Sequence, residues 1–222
     1  MNILSLMILI CFFSVSMAQA GIWSRIDEQS IRFDGPIKSG DFEGLEALLG
    51  KDDKTLFVDS TGGDVEVGLL IGFRLLPFKL RVVVDGLCVS SCANYIFAAG
   101  DIKEIRKGFV GFHGNATAVI FKYWGESVRD AKEEGMTDEE IEQVHLKLLE
   151  LSKREQEFFA TLGIQQDLFD RSQSEDKGMN NGESYHFLCP TPQTFKKYGF
   201  LNVQGQQDIT YAPEIEMHNL LD

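Results

Sequence analysis

Residues 80–100 read LRVVVDGLCVSSCANYIFAAG, and this stretch decides the fold. Leu80 to Asp85 is a run of strand length with Val82, Val83 and Val84 at its centre, too short for a helix. Gly86 to Cys92 is a turn rich in small residues. Ala93 to Ala99 then carries small and apolar side chains at helical spacing, and Gly100 stops it. A buried strand that turns at once into a closely packed helix is half of a βαβ unit.

The neighbouring segments repeat that grammar. Upstream, Thr55 to Asp59 is a second buried strand, bounded by Ser60-Thr61-Gly62-Gly63. Asp64 is placed to cap a helix bearing Val65, Val67, Leu69, Leu70, Ile71 and Leu75, which Pro77 ends. Downstream, Arg106 to Phe112 is a third strand and delivers His113. Earlier still, Ser30 to Phe33 is a strand, Asp34-Gly35-Pro36 a turn, and Asp41 the expected cap of a helix carrying Phe42, Leu45, Leu48 and Leu49. Strand, helix, strand, helix, strand in one frame predicts an α/β fold with right-handed crossovers and a mostly parallel sheet. In such sheets ligands bind beyond the carboxyl ends of the strands, where both Gly-rich turns and His113 fall.

The second half is expected to be helical. Thr137-Asp138-Glu139-Glu140 forms a capping box, and Ile141, Val144, Leu148, Leu151, Phe158 and Leu162 follow at helical spacing. Leu146, Leu149 and Phe159 add apolar area outside that stripe. Gly163 before Ile164 is a Schellman-type stop. Residues 171–183 read as a polar loop. Residues 188–202 read as a turn, a short helix ending at Tyr198-Gly199, and a final strand.

Composition bounds the function. The 222 residues carry 34 acidic against 21 basic side chains, a net charge of −13, which argues against a nucleic-acid binder. Residues 1–20 contain no charge, hold an apolar core from Ile3 to Met17 and end in Ala18-Gln19-Ala20, the form of a cleavable signal peptide cut after Ala20. The rival reading is an uncleaved anchor, for which the run is short of the ~20 residues a span needs. The expectation is one domain over residues 21–222, periplasmic or secreted, with no membrane span after signal cleavage. Cys88, Cys92 and Cys189 stay in the mature chain, and export favours pairing two of them. Cys88 and Cys92, four apart, suit a disulfide poorly if both are helical. No His stands at zinc-ligand spacing, so no metal is expected, and the serine and histidine chemistry considered below needs no cofactor.

Three features carry chemistry. Gly62 and Gly63, after a buried strand, leave backbone N–H groups above the sheet, where they could hold an oxyanion. Ser90 and Ser91 stand at a helix N-terminus, which is the place of an ordinary cap but also of an activated nucleophile. His113 ends a strand on the same sheet edge and is the candidate general base. His145, between apolar positions of the long helix, reads as structural.

Together these turns resemble the Clp protease proteolytic subunit and the wider ClpP/crotonase superfamily. The likeness runs from Phe33-Asp34-Gly35-Pro36-Ile37 through Val58-Asp59-Ser60-Thr61-Gly62-Gly63 and Gly86 to Gly100, then Phe112-His113, to Tyr198-Gly199-Phe200-Leu201, about residues 30–203. A Cys-x-Ser-x-Cys element points to an exported, ClpP-like branch. The resemblance implies a crotonase-type ββα spiral, a long handle helix at about 137–162 that mediates homo-oligomers, and a serine peptidase acting on peptide or protein. It implies Ser91 as nucleophile, with Ser90 as the alternative, His113 as base, and the amides of Gly63 and Cys92 as oxyanion donors. The third triad member has no clear match: where the family places an Asp this chain has Gly182-Glu183-Ser184-Tyr185-His186-Phe187, and Asp176 is the nearest substitute. No ATPase partner is implied. The resemblance also sets Cys189 near the serine turn, so a bridge from Cys189 to Cys88 or Cys92 is expected. The alternatives are a non-catalytic binding or assembly module of the same fold and, third, an acyl-CoA enzyme.

Overall fold

A computed structural model describes residues 21–175, 187–211 and 217–220. The signal-like residues 1–20, and Asp176 with residues 177–186, lie outside the described residues. The architecture is α/β. A six-stranded sheet has the order β1-β2-β3-β4-β5-β7, formed by β1 (Ile22–Asp27), β2 (Ser30–Asp34), β3 (Thr55–Ser60), β4 (Arg81–Val89), β5 (Ile102–Gly111) and β7 (Val203–Gly205). Only the β1–β2 pair is antiparallel; β2 through β5 and then β7 pair parallel. Its parallel strands come from crossovers through α1 (Asp41–Leu48), α2 (Val65–Leu75) and a six-residue helix, Cys92–Phe97, wound in wide π-type turns. Such windings recur at functional sites.

Alternating residues of β2 to β4 supply the core. Ile31, Phe33, Leu56, Val58, Val82 and Val84 are buried on the sheet face against Leu69, Ile71 and Leu75 of α2. A second layer is aromatic. Phe112 is buried among Phe169, Phe195 and Phe200 with ring centroids 5.5–6.2 Å apart, mostly edge to face. That arrangement contributes beyond area burial alone. It anchors the end of β5, from which His113 projects.

Beyond the sheet, α3 (Ala116–Glu133) and α4 (Asp138–Leu162) form a long antiparallel hairpin. Thr137 and Glu140 make the expected capping box, and Gly163 closes α4 in the left-handed conformation. No helix among the described residues is long and apolar enough to cross a membrane. After α4 come α5 (Asp167–Glu175), β6 (Phe187–Pro190), α6 (Pro192–Lys197) and β8 (Met217–Leu220), with β6 and β8 paired parallel.

Several expectations need correction. The strand expected to stop at Asp85 continues to Val89, because a register shift between Val84 and Asp85 lets Gly86 to Val89 pair with Gly108 to Gly111. Gly86 is required there: a Cβ would stand 2.3 Å from the Asp59 carboxylate, which accepts the Leu87 amide at 2.8 Å. Asp41 is the first residue of α1 and not its cap; Gly40 holds that place with φ 93°, and Asp41 accepts the Lys38 amide instead. Residues 167–175 are helical where a loop was expected from 171, since Leu168 and Phe169 bury against the aromatic layer. Phe159 is buried and stacked on Phe169, so it adds nothing to an exposed face.

The bridge expected from Cys189 is absent. Cys88 and Cys92 pair with each other, with Cα atoms 5.2 Å apart, while Cys189 is a buried free thiol. The objection to a four-residue spacing held only for two helical cysteines and does not apply, because Cys88 lies in β4 and only Cys92 is helical, so the chain turns between them at Ser90. Burial pushes the Cys189 thiol up to about 12.

Candidate active site

Ser90 occupies the turn between β4 and the Cys92–Phe97 helix. Its φ is +56°, in the left-handed region that a non-glycine residue adopts only when its surroundings hold it there. Three constraints do so. The Cys88–Cys92 bridge straps the turn on both sides. The Ser90 amide donates to Gly111 O at 3.0 Å, tying the turn to the end of β5. The Asn94 amide donates to Ser90 O at 2.9 Å and starts the helix.

This turn aims the Ser90 hydroxyl along the sheet edge, where its Oγ lies 2.7 Å from His113 Nε2. His113 is half-buried, and its ring stands edge to face with Phe187 at 5.2 Å. Ser91 is placed otherwise. It is buried, and its hydroxyl donates to Gly63 O at 2.8 Å. The two serines therefore divide the tasks: one faces the histidine, the other ties the helix start to the glycine turn. The expected first choice, Ser91, does not meet His113; the alternative, Ser90, does. The spacing cues were divided, the Ala-Gly step after the helix pointing to Ser91 and the Cys-x-Ser-x-Cys element to Ser90, and the deciding fact is the sign of φ at Ser90.

The glycine turn lies close by. Gly62 has φ 77°, and a Cβ there would come within 2.8 Å of both the Ser90 Cβ and the Ser91 amide nitrogen. The turn is held by Ile37, which donates to Gly62 O and accepts from the Asp64 amide. Gly63 thus stands beside the serine turn, as expected. Cys92, the other expected donor, has its side chain in the disulfide and opens the helix.

Two buried residues escaped the sequence reading. Asn94 donates from Nδ2 to Gly114 O at 2.9 Å, linking the serine helix to the residue after His113. Glu155 of α4 is fully buried, and its carboxylate accepts from the Thr117 amide at 2.8 Å, from Thr117 Oγ1 at 2.6 Å, from the Ala116 amide at 3.3 Å and from the Tyr95 hydroxyl. It sits at the N-terminus of α3, where free amides and the helix dipole favour an anion. Burial still raises its pKa above the usual carboxyl value, although those donors oppose the rise. The one available signal was a Glu between Leu151 and Phe158 on an otherwise apolar stripe.

His145 is on α4, stacked on Trp124 of α3 with centroids 4.3 Å apart, which fits a structural role. Among the described residues no group of three or more His, Cys, Asp or Glu side chains could hold a metal ion. A cavity of about 420 Å³ opens at Ser90 and His113 and runs between α3 and α4. No protein-family model and no curated protein matches the chain.

Proposed function

We propose that this protein is a serine hydrolase of the ClpP type, with the ββα spiral of that superfamily, exported behind a cleaved signal peptide; a peptide is the substrate that the family resemblance implies. The observation that carries the reading is the 2.7 Å contact between Ser90 Oγ and His113 Nε2 at the mouth of a cavity. Nucleophile and base at hydrogen-bond distance, both on strand ends of a parallel sheet, are what acyl transfer requires. With His113 protonated on Nδ1, Nε2 accepts the Ser90 proton as Oγ attacks a carbonyl carbon. The oxyanion is then held by the amide of Gly63 and by that of Ser91, the residue after the nucleophile, in place of the expected Cys92. His113 returns the proton to the leaving group, and water releases the acyl-serine by the same steps in reverse.

A non-catalytic binding or assembly module of the same fold is the second reading. It is favoured by residues 182–187, where the family resemblance places an Asp and this chain has none. A fluorophosphonate probe separates the two. Labelling at Ser90, abolished by Ser90→Ala or His113→Ala and kept in Ser91→Ala, is the expected result. An unlabelled protein, or label on another residue, overturns the hydrolase.

A further inference from the structure

Polar side chains gather at the mouth of the cavity, Ser90, Asn94, His113 and Gln173 among them, and Ser127 of α3 adds a hydroxyl farther along. Otherwise its far walls are carbon: Ile120, Trp124 and Val128 from α3, Met136 at the hairpin tip, and Ile141 and Leu148 from α4. On each helix these positions recur at three- and four-residue spacing, so each presents one continuous face. Ala116 and Ala131 both line the trough, and the helix rises about 22 Å between them. The hairpin is pinned along this length. Glu155 holds Thr117 at the base, Trp124 stacks on His145 in the middle, and Lys132 pairs with Asp138 at 2.8 Å near the tip.

We infer that the trough holds the alkyl chain of a long-chain acyl ester whose carbonyl lies at Ser90. The inference rests on the hydrolase reading and names a lipid ester as substrate class in place of the peptide that the family resemblance implies. Length is the first argument. One acyl chain of a membrane lipid spans half of a hydrocarbon core ~30 Å thick, or about 15 Å, and the trough accommodates it. A single apolar amino-acid side chain would fill only the near end. Chemistry is the second. A peptide laid along these walls would bury backbone N–H and C=O groups against carbon, whereas an alkyl chain has no such groups to satisfy.

The step balances without a cofactor. Ser90 Oγ bonds to the acyl carbon as its proton passes to His113 Nε2. The ester C–O bond breaks, and the alcohol leaves with that proton. Water then attacks the acyl-serine, gives its proton to His113, and free fatty acid departs as Ser90 is restored.

The test uses the full chain and p-nitrophenyl esters of two to about sixteen carbons. We expect kcat/KM to rise about fourfold per added methylene until the trough is full, and Val128→Trp to move the optimum to shorter chains. Independently of turnover, hexadecanoate should shift tryptophan emission saturably, and the shift should vanish in Trp124→Phe. If the fluorophosphonate labels Ser90 but rates are flat with chain length and hexadecanoate does not bind, the acyl-chain assignment falls while the hydrolase stands. If Ser90 is neither labelled nor active on any ester, both fall. Cleavage of an extended peptide at a rate that hexadecanoate does not change also overturns the assignment.

Discussion

At the residue scale, the site turns on one backbone angle. The positive φ of Ser90 swings its hydroxyl to His113 and leaves Ser91 facing Gly63. Ser90→Ala is therefore expected to lower kcat by about four orders of magnitude or more, with His113→Ala comparable and the double variant no worse, since the pair acts as a unit. Ser91→Ala loses one buried hydrogen bond, costing about 1 kcal/mol of stability, and should keep probe labelling. Glu155 allows a test of pH dependence. Its folded pKa lies above the unfolded value, so as pH rises through the ordinary carboxyl range the unfolded chain ionises first and stability falls, until the folded carboxyl has ionised too. Glu155→Gln lacks that step but leaves donors of Thr117 unmet, at about 1–3 kcal/mol. Its deficit against the natural chain should be largest at acid pH and narrow toward neutral, read from urea midpoints. A deficit independent of pH would show that Glu155 does not titrate between the two states.

At the scale of elements, the nucleophile turn is a strand end and a helix start strapped by a disulfide. Residues 88 to 92 close a loop so short that the chain-entropy model gives only about 2 kcal/mol. Replacing both Cys88 and Cys92 by Ala should cost about that much stability, yet lower turnover further, because the strap also holds the left-handed Ser90. Equal loss of stability and no loss of turnover would show that the flanking hydrogen bonds suffice. Peptide mapping of unreduced protein in denaturant should find Cys189 alkylated and Cys88 and Cys92 modified only after reduction. In native protein Cys189 should resist thiol reagents at pH 8, since its thiol is buried and its pKa is pushed up to about 12.

At the scale of the molecule, the α3–α4 hairpin stands beside the sheet as an appendage with one face turned to the site and another to solvent. Leu146 and Leu149 are 49% and 43% exposed on α4, an apolar face that a lone domain seldom leaves in water. Sedimentation should find oligomers that Leu146→Lys with Leu149→Lys dissociates. A natural chain that stays monomeric at high micromolar concentration would refute the handle as an assembly element.

The α/β class, the parallel core and the caps of α2 and α4 were legible in sequence because each follows from local rules: apolar runs of strand length, an Asp one residue before a helix, a Thr-x-x-Glu box. The three chemical features were legible too, since parallel crossovers bring strand ends to one edge. Helix α3 had no reading: Ile120, Trp124 and Val128 recur at helical spacing, but the run is broken by Gly125, and its start is fixed by Asn115 and Glu155 and its length by packing on α4. Which serine meets His113, which cysteines pair, and how far β4 runs were decided by tertiary structure alone. The serine depends on a positive φ and on its distance to a histidine 23 residues away, the reach of β4 on a register shift against β5, and the cysteine pair, though only four apart, on Cys88 lying in a strand while Cys92 is helical; such quantities belong to the packed chain, because no local rule of the sequence sets them.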